Sequence, residues 1–420
     1  KYDAEINAAL YADLKKSKEE TWATETGLLM AEIKNAKKNL HKLMAPEKVS
    51  TGLVTFPSSA KIYRDPLGVV LIIAPWNYPL QLLLIPLVGA IAAGNCAVLK
   101  PSELAPFTEK IITKIIEEIF PENYVKVVSG NGAEVVPEMI NDFRFDHIFY
   151  TGSTTVGKAI YKLAANDLVP VTLELGGKSP CIVYEDADIK VAAKRIVLGK
   201  FLNAGQTCIA PDYILVHEKV KNELLDEMKE AIQNFYTVDP ASSNDYGKII
   251  NENRFNKLLS YLQNSEIFFG GKSDISSLYI EPTILVNVSM NDAVLKEEIF
   301  GPILPVVSFE TTEEAMEKVQ HNPNPLAFYL FTKDKAVEKE WIKKIPFGGG
   351  CVNNTVWHFT NENLPFGGIG NSGIGAYHGK NTFNLFSHAK PVLKSSTGID
   401  PSLKYPPFKG KMKWFKKLIG

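Results

Sequence analysis

Residues 147–180 read H-I-F-Y-T-G-S-T-T-V-G-K-A-I-Y-K-L-A-A-N-D-L-V-P-V-T-L-E-L-G-G-K-S-P, and the fold turns on how this stretch is divided. Positions 147–150 form a short apolar run of strand length. A glycine turn follows, 156–163 has helical spacing, and 171–173 is apolar again. Strand, helix and strand in so short a span predict a parallel pair joined by a crossover helix. The glycine turn nearly completes a phosphate loop, G-S-T-T-V-G-K. Ala159 then stands where a magnesium-binding Ser or Thr is required. A nucleotide triphosphatase is therefore a poor reading, although backbone N–H groups at that helix start can still hold a pyrophosphate.

The same alternation extends outward. Segments 69–73, 97–99 and 125–128 read as buried strands, with helical 107–119 between the last two. A parallel sheet covered on both faces is expected, with ligands beyond the carboxyl ends of its strands. A second set begins near Asp188, with a helix at 189–198, a strand at 213–216, a helix at 220–235 and a mixed region over 280–309. The boundary between the two sets is placed near Gly176 and Gly177. Upstream, Leu29, Ile33, Ala36, Leu40 and Leu43 mark one face of a helix. The Thr-, Ser- and Val-rich run 49–65 reads as a protruding hairpin.

Composition sets the outer limits. A chain of 420 residues implies two or three domains. Hydrophobic residues at 45% and charged residues at 22% mark a globular chain, and a net charge of -1 gives no global attraction to nucleic acid. Cys96, Cys181, Cys208 and Cys351 form no C-x-x-C pair and no zinc pattern, which fits a reducing cytoplasm. No secretory signal is visible. The chain opens on Lys1 rather than Met, so further sequence upstream is expected. Residues 79–99 are uncharged and long enough for a membrane span. Pro86, Gly89, Gly94 and Asn95 interrupt them, and they read instead as a buried helix followed by a buried strand. Beyond Asp400 the tail carries Lys404, Lys409, Lys411, Lys413, Lys416 and Lys417 among Tyr405, Phe408, Trp414 and Phe415. It is either an amphipathic helix for a membrane surface or a solvated tail that packs locally. The G-I-G-N-S-G run at 368–373 lacks the acidic residue of a dinucleotide fingerprint and reads as a glycine-rich loop.

Three residues carry chemistry. Cys208 follows small and polar residues in N-A-G-Q-T-C-I (203–209), where a thiol can be reached; a buried structural cysteine is the alternative. Glu174 ends an apolar strand before two glycines, where burial would raise its pKa and suit it to base work. The alternative is an ion pair with Lys178. Asn77 sits on the turn P-W-N-Y-P (75–79) after a strand, either as an oxyanion donor or as a turn cap.

Taken together these segments resemble the aldehyde dehydrogenase family. P-W-N (75–77), K-P-S-E (100–103), T-G-S-T (151–154), L-E-L-G-G-K-S-P (173–180), G-Q-T-C (205–208) and E-I-F-G-P (298–302) occur in the family's order, and the resemblance spans roughly residues 1–394. The run N-L-P-F-G-G-I-G-N-S-G-I-G-A-Y-H-G-K-N-T-F-N-L-F-S-H-A-K (363–390) and C-I-A-P-D-Y (208–213) are similar to the class 3 branch. Its members oxidise medium- and long-chain aliphatic and aromatic aldehydes.

The resemblance implies an α/β fold with a Rossmann-like NAD-binding domain (1–48 and 67–175) and a catalytic domain (176–376). A small β oligomerisation element (49–66 and 377–400) and the tail (401–420) complete it. It implies Cys208 as nucleophile, Glu174 as base for thioester hydrolysis and Asn77 as oxyanion donor, with no metal. It places Lys100 and Glu103 on the adenosine ribose, Thr151, Gly152 and Ser153 at the pyrophosphate, and Glu298 and Phe300 at the nicotinamide ribose. Glu103 favours NAD, with NADP the alternative. The expected partner is an aldehyde, and the expected assembly is a homodimer. A silent binding protein would lack Cys208 or Glu174, and a CoA-acylating relative would lack Glu174. Tyr78, Trp357 and Phe359 are candidates for the substrate funnel.

Overall fold

The strand Val69–Ile73 shows how the first half is built. Its side chains alternate, Val70 and Ile72 entering one apolar core, Leu71 and Ile73 another. A strand buried on both faces needs layers above and below it, and the helices supply them. The computed structural model describes residues 1–263 and 265–419. In its first sheet the strands lie in the order Gly373–Ile374, Val171–Glu174, His147–Thr151, Val69–Ile73, Cys96–Lys100 and Val125–Val127. All pair in parallel except the first, which runs antiparallel to Val171–Glu174. The expected strands and their crossover helices, Pro106–Ile119 and Thr154–Ala165, are in place.

The uncharged stretch after Asn77 forms the helix Gln81–Ala92 and then the strand Cys96–Lys100. Among the described residues no helix is long and apolar enough to cross a membrane. Gly89 lets this helix touch the helix Lys380–Leu385, since a Cβ there would lie 2.2 Å from the Thr382 methyl. The chain leaves the first sheet at Glu174 and enters the second at Pro180. That sheet has the order Glu266–Phe269, Thr283–Val286, Ile303–Phe309, Tyr213–His217, Pro180–Val183, Ala327–Phe331 and Gly349–Val352. Only Glu266–Phe269 is antiparallel to its neighbour.

Two findings depart from the sequence reading. Gly373–Ile374 falls within the expected catalytic span 176–376 yet belongs to the first sheet, so the chain returns there. The 49–65 run is not a hairpin by itself. Ser58–Pro66 pairs with Glu47–Val49 on one side and with the remote Ser387–Ser395 on the other, giving a separate three-stranded antiparallel sheet. At the end of the chain, Met412–Ile419 is an exposed helix beside Leu53–Thr55.

Candidate active site

Cys208 stands where two cavities meet. One, of 210 Å³, is apolar and is lined by Tyr78, Leu198, Leu202, Trp357, Phe359 and Phe366 among others. The other, of 390 Å³, is lined by Trp76, Asn77, Gly152, Ser153, Glu298 and Phe300 among others. Leu82, Thr151, Glu174 and Cys208 line both. Each polar member follows a strand or a glycine turn. Thr151 and Glu174 end neighbouring strands of the first sheet, and Cys208 lies on the connection between the helix Ile189–Phe201 and the strand Tyr213–His217.

That connection is unusual. Asn203, Ala204 and Gly205 all adopt left-handed backbone angles, with φ of 52°, 51° and 74°. A non-glycine residue held there stores about 1–3 kcal/mol of strain unless its surroundings fix it. Here they do. The Asn203 amide N–H donates to Glu20 Oε1 at 3.0 Å, and its side-chain Nδ2 donates to the carbonyl of Asn77 at 2.8 Å. Gln206 Nε2 donates to the carbonyls of Asn203 and Lys248, and Gln206 Oε1 accepts from the Ile250 N–H. Asn77 Nδ2 closes the circuit on the Gln206 carbonyl at 2.9 Å. One N–H of the Asn77 amide is thereby occupied, and Asn77 lines the polar cavity.

The electrostatics are those of a dry pocket. Glu174 is 2% exposed, and among the described residues neither of its carboxyl oxygens has a hydrogen-bond partner. Burial pushes its pKa well above the ordinary carboxylate value. Burial also raises the Cys208 thiol, helped by the nearby charges of Glu298 and Glu174. Glu298 is pushed up to about 8 by burial and by Asp212, against a hydrogen bond from the Gly177 backbone. Lys178 does not pair with Glu174. It forms a buried ion pair with Asp212 and donates to the Val294 carbonyl at 2.8 Å.

The structure thus brings Cys208, Glu174, Asn77, Thr151, Gly152, Ser153, Glu298 and Phe300 to the cavity walls. Phe300 meets Trp76 edge to face, with ring centres 5.3 Å apart. Tyr78, Trp357 and Phe359 line the apolar side. Lys100 and Glu103 line neither cavity. Lys100 donates to the Pro101 carbonyl at 2.6 Å and pairs with Glu103, which accepts from the Gly132 N–H. Sequence reasoning missed the buried Lys16, Glu20 and Glu25 and the cavity-lining Arg254. Gln206 and Asn203 lay within the quoted cysteine segment, but their polarity gave no hint of a bracing role.

Comparison with known proteins gives a consistent result. The aldehyde dehydrogenase family profile matches residues 2–392. A 4,4'-diaponeurosporen-aldehyde dehydrogenase of Staphylococcus aureus is 47% identical over 99% of this chain and 90% of its own. Aldehyde dehydrogenase family 3 member A2 of Rattus norvegicus is 44% identical over 99% of this chain and 86% of its own. The substrate-bound structure of Staphylococcus aureus AldH superposes with a TM-score of 0.97 at 46% identity, covering 100% of this chain and 92% of that one.

Proposed function

The chain belongs to the aldehyde dehydrogenase family, and on that premise we propose that it oxidises medium- or long-chain aliphatic or aromatic aldehydes to carboxylic acids with NAD(P). The observation that carries this reading is the shared wall. Cys208 and Glu174 face an apolar cavity suited to a hydrocarbon chain on one side and a polar cavity on the other.

The polar cavity fits a dinucleotide. Thr151 Oγ1 is buried there without a hydrogen-bond partner among the described residues. Gly152 lies at the start of the helix Thr154–Ala165, whose cap is Ser153, so backbone N–H groups face an anion. A Cβ at Gly176 would collide with Glu298, so the backbone leaves no side chain in the way. The strands ending at Thr151, Ile73 and Lys100 are neighbours, so this sheet edge runs from Ser153 toward Lys100 and Glu103, as an elongated ligand needs. Lys100 and Glu103 would hold the adenosine ribose, Thr151, Gly152 and Ser153 the pyrophosphate, and Glu298 and Phe300 the nicotinamide ribose. The charge of Glu103 disfavours a 2′-phosphate, which makes NAD the preferred form. When bound, NAD(P) supplies a positively charged ring that accepts a hydride.

The chain's own residues do the rest. Cys208 gives up its thiol proton to Glu174 or to solvent, the thiolate attacks the aldehyde carbon, and the carbonyl oxygen becomes an oxyanion. The free N–H of Asn77 Nδ2 and the Cys208 backbone N–H hold that charge, each donor worth about 3 kcal/mol in the transition state. Loss of hydride from the same carbon leaves a thioester on Cys208. Glu174 takes a proton from water, the resulting hydroxide attacks the thioester carbon, and the acid and the Cys208 thiol are released. The raised pKa of Glu174 makes it a strong base once ionised.

Two further readings accompany this one. The sheet joining Ser58–Pro66 to Ser387–Ser395 stands apart from the two large sheets and serves a homodimer, testable by light scattering. The tail helix exposes Met412, Trp414 and Ile419 beside its lysines, and meets membrane surfaces peripherally from a cytoplasmic location. Recovery on anionic liposomes that is equal with and without residues 402–420 would remove the membrane contact. The activity is tested by initial rates of NADH formation with hexanal, decanal, hexadecanal and benzaldehyde. Rates that rise with chain length and vanish in Cys208→Ser are expected; no turnover of any aldehyde, or unchanged turnover in the variant, would overturn the assignment.

A further inference from the structure

The N-terminal helical segment delivers three buried charges beneath the active centre. Lys16, Glu20 and Glu25 are 1%, 8% and 0% exposed. Lys16 precedes the helix Lys18–Thr21, Glu20 lies in that helix, and Glu25 lies in the wide π-type turn Trp22–Thr26 that follows it. Wide turns of this kind recur at functional sites, and this one places Ala23 and Thr24 on the apolar cavity wall.

Each charge has a defined job. Lys16 Nζ pairs with Glu25 at 2.7 Å and donates to the Asn77 carbonyl at 3.0 Å, while lying 3.9 Å from the centre of the Tyr78 ring. The second oxygen of Glu25 accepts from the Gln81 N–H, at the start of the helix Gln81–Ala92. Lys16 and Glu25 therefore fix both ends of the turn that carries Asn77. Glu20 fixes the other side. Its Oε1 is the acceptor for the Asn203 amide, the first of the three left-handed residues before Cys208. Asn203 Nδ2 then bridges the two sides, donating to the Asn77 carbonyl at 2.8 Å and to the Gln206 carbonyl at 3.3 Å. Without Glu20 a buried N–H loses its partner at a left-handed point of the backbone, and the loop has reason to relax.

We propose that Glu20 is a positioning residue for this reaction: acting through Asn203, it holds the strained loop before Cys208 in register with Asn77, so that thiol and oxyanion donor meet one carbonyl group. The inference rests on the roles given above to Cys208 and Asn77. Glu20 touches neither cavity, so its effect falls on the chemical step and leaves binding alone. A displacement of about 1 Å in such a constellation costs on the order of 100-fold in rate.

The test uses the full chain with decanal and NAD, and compares Glu20→Met, Glu20→Gln and Asn203→Ala. Glu20→Met removes the acceptor, and Glu20→Gln keeps it. The expected result is a fall in kcat of about 100-fold in Glu20→Met at unchanged KM for NAD, with kcat within about threefold of wild type in Glu20→Gln. Alkylation of Cys208 by iodoacetamide, which needs no turnover, is expected to change rate in Glu20→Met and to return in Glu20→Gln. Asn203→Ala keeps the backbone N–H but cuts the bridge to Asn77, and is expected to lower kcat at unchanged KM for NAD. This arm decides the matter if Glu20→Met does not fold. Full activity in Asn203→Ala, full activity in Glu20→Met, or equal loss in Glu20→Gln and Glu20→Met would overturn the proposal. A wild-type chain inert toward aldehydes would instead overturn the activity itself.

Discussion

Glu25 and Glu174 are both fully inside the molecule, and the fold treats them in opposite ways. Glu25 meets an ammonium group on one oxygen and a helix-start N–H on the other. Glu174 has no hydrogen-bond partner among the described residues. Burial pushes both pKa values upward; at Glu25 the charge of Lys16 opposes the push, and at Glu174 nothing does. Removing a carboxylate from water costs several kcal/mol, so a lone one is kept only where something else requires it. Only Glu174 lies on the wall of two cavities, next to a thiol on the same walls. A buried acid with every partner in place braces the structure. A buried acid with none, facing open space, is placed for proton transfer.

The contrast breaks most visibly in Glu174→Gln. Loss of the base is expected to lower kcat by about a thousandfold. The chemical unfolding midpoint should stay level or rise, because an isolated buried acid has gone. Retained steady-state activity would remove the chemical half of the comparison.

Lys16→Met attacks the other half. It leaves Glu25 buried without its counter-charge and is expected to cost about 3–5 kcal/mol of stability in urea unfolding. An unchanged unfolding free energy would show that Glu25 does not depend on its partner.

The pH dependence follows the unpaired acid. Burial holds the pKa of Glu174 and of Cys208 above their ordinary values, while their reactive forms are anions. Turnover should therefore climb as pH rises beyond the ordinary carboxylate range, since each unit below a pKa changes the ionised fraction about tenfold. Thioester hydrolysis in Glu174→Gln should lose that slope. A flat wild-type profile would contradict the raised pKa of the base.

The smallest effect on stability belongs to the double variant Lys16→Met with Glu25→Leu. Replacing a buried ion pair by apolar groups of similar size is often close to neutral. Unfolding within about 1 kcal/mol of wild type is expected. A large loss would show that the bonds to Asn77 and Gln81, and not the charge pair, carry the stabilisation.

Much of the fold was legible because buried parallel strands are written as short apolar runs. Segments 69–73, 97–99, 147–150 and 171–173 each appear within an observed strand. The third sheet was only half legible, since Ser58–Pro66 finds its main partner more than 300 residues away, and no local pattern encodes that pairing. The return of Gly373–Ile374 was hidden in a glycine-rich run without strand character. Cys208, Glu174 and Asn77 could be singled out through the ordered motifs of the family resemblance, since the local sequence of each left a structural role equally open. Lys16, Glu20 and Glu25 could not. On a helix, alternating charges look like a solvated face, and only tertiary packing turns that face inward. Lys100 and Glu103 mark the opposite difficulty: the sequence names them, but they stand outside both cavities, engaged with the chain itself.

The central claim is that Cys208 forms the covalent bond to the aldehyde carbon and that Glu174 is needed to release the product. Mixing Glu174→Gln with decanal and NAD, quenching with acid and measuring peptide masses tests both together. The expected result is one equivalent of NADH per active chain and a decanoyl group on the peptide containing Cys208. No acyl peptide, or an acyl group on Cys96 or Cys351 instead, would contradict it.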